Sequence, residues 1–188
     1  MSDTRRDGRA GLATGLVVGA QRRRYAVELD DGATLDCMLK GRAMTPVCGD
    51  RVDVALDAAG ATIVAIAPRR SLFYRSDAFR EKLIAANVTQ VVGVVAPDVA
   101  ADESLLNRWI IAAETEHCRF VLVQNKADLP GTAAFAVRFS RYAALGYPVF
   151  AVSAHDDASP LACSALCPGM EQSFLDADQQ TLGAICLN

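Results

Sequence analysis

The sequence predicts a small five-stranded barrel of the OB type followed by part of a parallel α/β domain. Two observations predict it. Between Gly11 and Pro68 apolar residues alternate with polar ones in short runs broken by turn signals, the period of half-buried strands. After Val88 nearly continuous apolar runs alternate with helical stripes, the pattern of strands buried on both faces and covered by helices.

The barrel strands follow in order. Leu12 to Val18 is the first. Tyr25, Val27 and Leu29 alternate with Ala26 and Glu28, and Asp31-Gly32 makes a hairpin turn. Leu35, Cys37 and Leu39 then alternate with Asp36 and Met38. Beyond a loop with Gly41, Pro46 and Gly49 come Val52, Val54 and Leu56. Ala59-Gly60 turns the chain into Thr62 to Ala67. Five short strands of this kind point to an OB-fold, an architecture that often binds oligonucleotides.

The expected organisation is an OB-fold RNA-binding domain at 1–70, a basic connector at 71–87, a partial α/β domain at 88–160 and a tail at 161–188. The connector region carries Arg69, Arg70, Arg75, Arg80 and Lys82 around Phe73 and Tyr74. Arginines among aromatics suit phosphate contact with base stacking, and equally a solvated linker whose aromatics pack nearby. Val91, Val92, Val94 and Val95 mark a buried strand. Asp102 to His117 places Leu105, Leu106, Trp109, Ile110 and Ala113 on one helical stripe. Phe120 to Val123 is a second strand, and Ala133 to Leu145 a second helix ended by Gly146 and Pro148. Val149 to Val152 is a third strand. From Pro160 onward no clean period remains, so three parallel strands with an open edge are expected.

Composition bounds the function. Of 188 residues 52% are hydrophobic, enough to bury a core. No run reaches the roughly 18 apolar residues of a membrane span, and the charged start lacks a signal-peptide apolar region, so a cytoplasmic protein is expected. Residues 1–90 carry 14 Lys/Arg against 11 Asp/Glu, and the remainder 5 against 11. A basic front suits a polyanion, although ordinary surface fluctuation produces the same excess. The six cysteines form no C-x-x-C pair. Cys163, Cys167 and Cys186 with His155 fit no structural-zinc spacing. Buried or incidental thiols are the reading, with no metal site.

The chemistry concentrates at Asn125-Lys126-Ala127-Asp128, directly after a buried strand. Ligands of α/β sheets bind at the carboxyl ends of strands. An Asp carboxylate there can accept from both N1 and N2 of guanine, a donor pair adenine lacks. The Asn amide can bond N7, and the Lys stem can lie along the base. The competing account is a plain capped strand-to-helix turn. Val152-Ser153-Ala154 ends the next strand, where a backbone N–H can reach guanine O6 and small residues permit close approach. The predicted guanine-binding set is Asn125, Lys126, Asp128, Ser153 and Ala154. The predicted RNA-binding set is Lys40, Arg42, Arg69, Arg70 and Arg75. No catalytic residue is assigned.

Several stretches are similar to the ribosome small subunit-dependent GTPase A family, over about residues 11–155. They are Cys37 to Arg42, Val47 to Val52, Pro68 to Leu72, Lys82 to Val88, Leu106 to Glu114, Asn125 to Leu129 and Val152 to Ala154. Thr89 departs from the family's usual Asp. The resemblance implies a circularly permuted P-loop GTPase-like domain, with guanine motifs first and phosphate loop and switches after. It implies GTP/GDP with Mg²⁺, a C-terminal zinc-binding domain, and late small-subunit maturation with ribosome-stimulated hydrolysis. Implied partners are the small ribosomal subunit and its rRNA, bound by a monomer.

The phosphate loop, G-x-x-x-x-G-K-[ST], is expected near Ala177 to Ala184. That stretch reads Ala-Asp-Gln-Gln-Thr-Leu-Gly-Ala, and no Gly-Lys pair occurs anywhere. Phosphoryl transfer depends on positioning and charge stabilisation, so this polypeptide alone is expected not to hydrolyse GTP usefully. Likeness fades between His155 and Cys163, which points to a frame change near Leu161 or a truncated gene model. A non-catalytic rRNA-binding module is the alternative function, and a free-standing guanine-binding half-domain a third.

Overall fold

The computed structural model describes residues 11–41, 43–76, 80–98 and 102–153, and the backbone of Gly183–Leu187. The chain divides into two compact units between Asn87 and Val88.

The first unit holds a closed barrel. Its strands are β1 (Gly11–Gln21), β2 (Arg24–Leu29), β3 (Thr34–Leu39), β4 (Arg51–Asp57) and β5 (Gly60–Ile66). Their order is β1-β2-β3-β5-β4, closed by β1 pairing with β4. Only the β3–β5 pair is parallel. Val17, Tyr25, Val27, Cys37, Val52, Val54 and Ile63 fill the interior. These are alternate residues of their strands, as the period of two requires. The β2–β3 turn closes where expected: Gly32 takes φ +85°, and Asp31 Oδ1 accepts from Ala33 N at 3.0 Å.

The segment expected as a connector is a two-stranded antiparallel ribbon, β6 (Leu72–Ser76) and β7 (Glu81–Ala86). Ala86 N donates to Cys48 O at 2.9 Å, and Asn87 N donates to Ser71 O at 2.9 Å. Asn87, with φ +54°, also donates from Nδ2 to Gly49 O at 2.8 Å. Its Oδ1 accepts from Arg70 N at 2.8 Å. One buried amide thus ties the ribbon's end to two loops of the same unit.

The second unit begins with β8 (Val88–Val95). It continues through α1 (Glu103–Thr115), β9 (Arg119–Gln124), α2 (Thr132–Ala144) and β10 (Val149–Ala151). Asp102 caps α1 by accepting from Ser104 N, the usual task of an N-cap carboxylate. Leu106, Ile110 and Ala113 form its buried stripe. Phe120, Val121, Leu122 and Val123 are all buried, so β9 is covered on both faces. Gly93 of β8 makes room for the Phe120 ring: a Cβ there would lie 2.7 Å from Cζ.

The sheet order is β10-β9-β8-β11, where β11 is Gly183–Leu187. β8, β9 and β10 run parallel, whereas β11 pairs antiparallel with β8. The strand corrects the expectation of a tail without regular structure, and it adds a fourth strand to the three that were expected. Five mostly apolar residues show no alternation to read, and their pairing partner lies in a distant part of the chain.

Candidate guanine-binding site

Three strand ends build the site. The loop after β9 is bonded to both neighbours: Asn125 N donates to Val95 O at 2.8 Å, and Ala127 N to Val152 O at 3.0 Å. Val95 ends β8 and Val152 follows β10. Parallel register between the strands therefore sets where the loop sits.

Within the loop, Asn125 Oδ1 accepts from Lys126 N at 2.8 Å. That bond fixes which way the amide faces, because a backbone N–H must meet the oxygen. The NH₂ half is chemically able to donate to an acceptor such as a ring nitrogen. Lys126 takes φ +57°, an uncommon left-handed conformation for a side-chain-bearing residue. Leu129 N closes the turn on Lys126 O at 3.1 Å.

Ser153 is buried and its Oγ–H donates to Asp128 Oδ1. Asp128 is exposed. A carboxylate has lone pairs for several donors, so a hydroxyl can hold it while its face accepts two ligand N–H groups. The structure thus brings together four of the five predicted guanine residues: Asn125, Lys126, Asp128 and Ser153. Ala154 lies outside the described residues.

Sequence reasoning missed Asp98. It follows the carboxyl end of β8, and its Oδ2 accepts from Lys126 Nζ at 2.5 Å. The hydrogen bond from Lys126 holds the Asp98 carboxyl below its ordinary pKa. Its position after a buried strand was the available signal, but 28 residues separate the pair.

The predicted RNA contacts lie in the first unit, and they separate into two kinds. Arg69 is engaged within its own unit. Its Nε donates to Asp50 Oδ1 at 2.7 Å and its Nη2 to Asp50 Oδ2 at 2.8 Å. Nη2 also donates to Thr45 O at 2.9 Å. Asp50 is fully buried and further accepts from Val47 N at 2.8 Å. A planar guanidinium fork matches a carboxylate, and a carboxylate buried without it would be costly. Arg69 is turned inward and clamps the barrel's loops, and the Asp50 bond raises its pKa.

Lys40, Arg70 and Arg75 are exposed. Arg42 lies outside the described residues. Arg75 sits opposite Lys82 across the β6–β7 ribbon, a like-charge pairing that weakens a sheet on its own and that an anion would relieve. Tyr74 beside it is 54% exposed. Arg22 and Arg23 at the β1–β2 turn and Arg24 at the start of β2 are exposed too, and three consecutive arginines are a feature that strand periodicity alone does not bring out.

Among the described residues no group of three or more His, Cys, Asp or Glu is gathered as metal ligands. No helix there is long and apolar enough to cross a membrane. Cys163, Cys167 and His155, weighed above for zinc, lie outside the described residues.

The sequence model for the RsgA GTPase family matches residues 66–170, continuing past the point where likeness was expected to fade. The small ribosomal subunit biogenesis GTPase RsgA of Nitrosospira multiformis is 42% identical over 149 residues, covering 78% of this chain and 48% of that protein. The protein of the same name from Nitrosomonas europaea is 43% identical over 154 residues, 79% and 49% of the two chains. The crystal structure of YjeQ from Thermotoga maritima shares the fold, with TM-score 0.56 at 21% identity, over 85% of this chain and 66% of that one. This chain spans about half the length of the curated relatives it matches.

Proposed function

This chain belongs to the RsgA GTPase family, and from that premise we propose that it reads guanine at the tips of β9 and β10 and binds small-subunit rRNA through its barrel unit. The work would belong to maturation of the small ribosomal subunit, the process for which its relatives are named, and would take place in the cytoplasm.

The observation that carries the guanine reading is the convergence on one loop of an exposed Asp128 carboxylate, a buried Ser153 hydroxyl that orients it, and an Asn125 amide whose oxygen is committed to Lys126 N. Guanine would present N1–H and N2–H to Asp128 and N7 to the Asn125 NH₂. Adenine would present an acceptor at N1, against a carboxylate that can only accept. The Lys126 methylenes would cover one face of the base. Nucleotide phosphates and their Mg²⁺ would lie beyond this loop, and no described residue is assigned to hold them. Hydrolysis is not assigned to these residues, since the sequence contains no G-x-x-x-x-G-K-[ST] pattern.

The RNA reading is supported by the exposed cations Lys40, Arg70 and Arg75, by Tyr74 next to Arg75, and by the Arg22–Arg24 run elsewhere in the same unit. Phosphate contacts from such residues give affinity that falls with salt.

The guanine assignment is tested by titrating guanosine and inosine, which lacks the exocyclic amine, into the chain and its Asp128→Ala variant, following amide shifts by NMR. The intact chain should prefer guanosine, and the variant should lose about tenfold or more of guanosine affinity, the worth of a charged hydrogen bond. An unchanged preference in the variant rules the assignment out.

A further inference from the structure

We infer that Asp98 is a positioning residue of the base site: it holds the Lys126 ammonium beyond the loop so that the lysine stem stays extended across the face of the bound purine. The inference rests on the guanine reading and adds a residue to it.

The geometry carries the point. Asp98 follows the end of β8 and Lys126 follows the end of β9, and these strands are adjacent and parallel. The ion pair therefore spans two neighbouring strand tips on the side of the sheet where the loop lies. Lys126 is also the loop's left-handed residue, with φ +57°, so its backbone direction is fixed by Asn125 Oδ1 at its own N–H. With the backbone end fixed by one bond and Nζ by another, the four-carbon stem between them loses most of its freedom. A lysine free at Nζ would have to give up that freedom on each binding event.

The pair is poorly suited to be there for stability. The two side chains are 40% and 41% exposed, and such surface pairs contribute little to folding because water screens them. Its lowered carboxyl pKa accords with a carboxylate that stays charged in this pairing. What the pair changes is the conformational range of Lys126, which sits in the one loop that also carries Asn125 and Asp128.

The role separates from that of Asp128 by its selectivity. A stem lying along the base face touches guanine and hypoxanthine alike, whereas Asp128 reads the exocyclic amine. The experiment uses the whole chain and its Asp98→Asn and Asp98→Glu variants, titrated with guanosine and with inosine and followed by amide shifts. Asp98→Asn should weaken both nucleosides equally, by about two- to five-fold, the size of a surface ion pair, leaving their ratio intact. Asp98→Glu should restore most of the loss, and the urea midpoint should not move in either variant. Unchanged binding in Asp98→Asn overturns the inference while leaving the guanine reading in place. So does a fall in the guanosine-to-inosine ratio, which would mean that the loop had lost its shape. If the unmodified chain itself shows no preference between the nucleosides, the guanine reading fails instead, and the inference with it.

Discussion

In the barrel unit the polar cluster built on Asp50 faces inward, whereas in the α/β unit the cluster built on Asp128 faces outward. The two use similar chemistry. Each has a carboxylate that accepts from a nearby donor, and in each a cation lies alongside in the same or a neighbouring loop. They differ in what surrounds them. Asp50 is fully buried, and each of its oxygens is engaged by Arg69, with Val47 N adding a further bond. Asp128 is exposed and held on one oxygen by a buried serine. Burial turns the first cluster into a clamp. Exposure at strand tips puts the second within reach of solvent. Residue type alone does not tell a buried ion pair from an exposed one, and Arg69 with Asp50 against Lys126 with Asp98 is the case in point.

The largest expected effect breaks the inward cluster. Asp50→Ala leaves the Arg69 guanidinium partly buried without its carboxylate and should cost about 3–5 kcal/mol. A urea titration followed by the amide signals of Val17 and Val54 measures it. A loss below about 1 kcal/mol would mean that Arg69 is free to turn outward, and the contrast between the two clusters would dissolve. Next, Leu122→Ala removes a fully buried side chain from the strand that carries the candidate guanine loop. It should cost about 2–5 kcal/mol, read by the fluorescence of Trp109, the chain's single tryptophan.

The cations sharpen the same contrast. Replacing Lys40, Arg70 and Arg75 together with alanine should lower the slope of log affinity for rRNA against log salt by about 0.7–0.9 for each phosphate that is no longer neutralised. Arg69→Ala should leave that slope unchanged and lower stability instead. If the slope falls equally, Arg69 touches phosphate after all. The smallest effect concerns pH. The folded-state pKa of Asp98 is lowered, so the contribution of its pairing with Lys126 is complete above the unfolded value and is lost as pH falls through the folded one. At neutral pH it is fully present. A carbon-detected titration of the Asp98 carboxyl should show a midpoint below 3.8, and Lys126→Met should move it upward.

Much of this was legible in the sequence wherever the signal was local. The barrel core follows from alternation within each strand, as at Tyr25, Val27 and Leu29. The candidate guanine loop, Asn125 to Asp128, is four consecutive residues after an apolar strand, and the structure places it at the end of β9. What was not legible depended on distance along the chain. Asp50 meets Arg69 across 19 residues and Asp98 meets Lys126 across 28, and no periodicity couples such pairs. The β6–β7 ribbon escaped notice because its pairing is interrupted between Phe73 and Tyr74 and its charges imitate a linker. β11 escaped because its pairing with β8 is a backbone property, which five largely apolar residues do not advertise.

Closure of the barrel by β1 and β4 has a further consequence. A ring of strands leaves few lateral backbone groups, here at the β3–β5 seam where three residue pairs join the strands, so the barrel offers little for a sheet to extend from. Whatever docks there must be recognised through side chains on its outer wall or through the turns at its ends. β10 stands differently: among the described residues it has a strand on one side only. Wherever a strand edge stays unpaired, its backbone groups are a template on which another strand can pair.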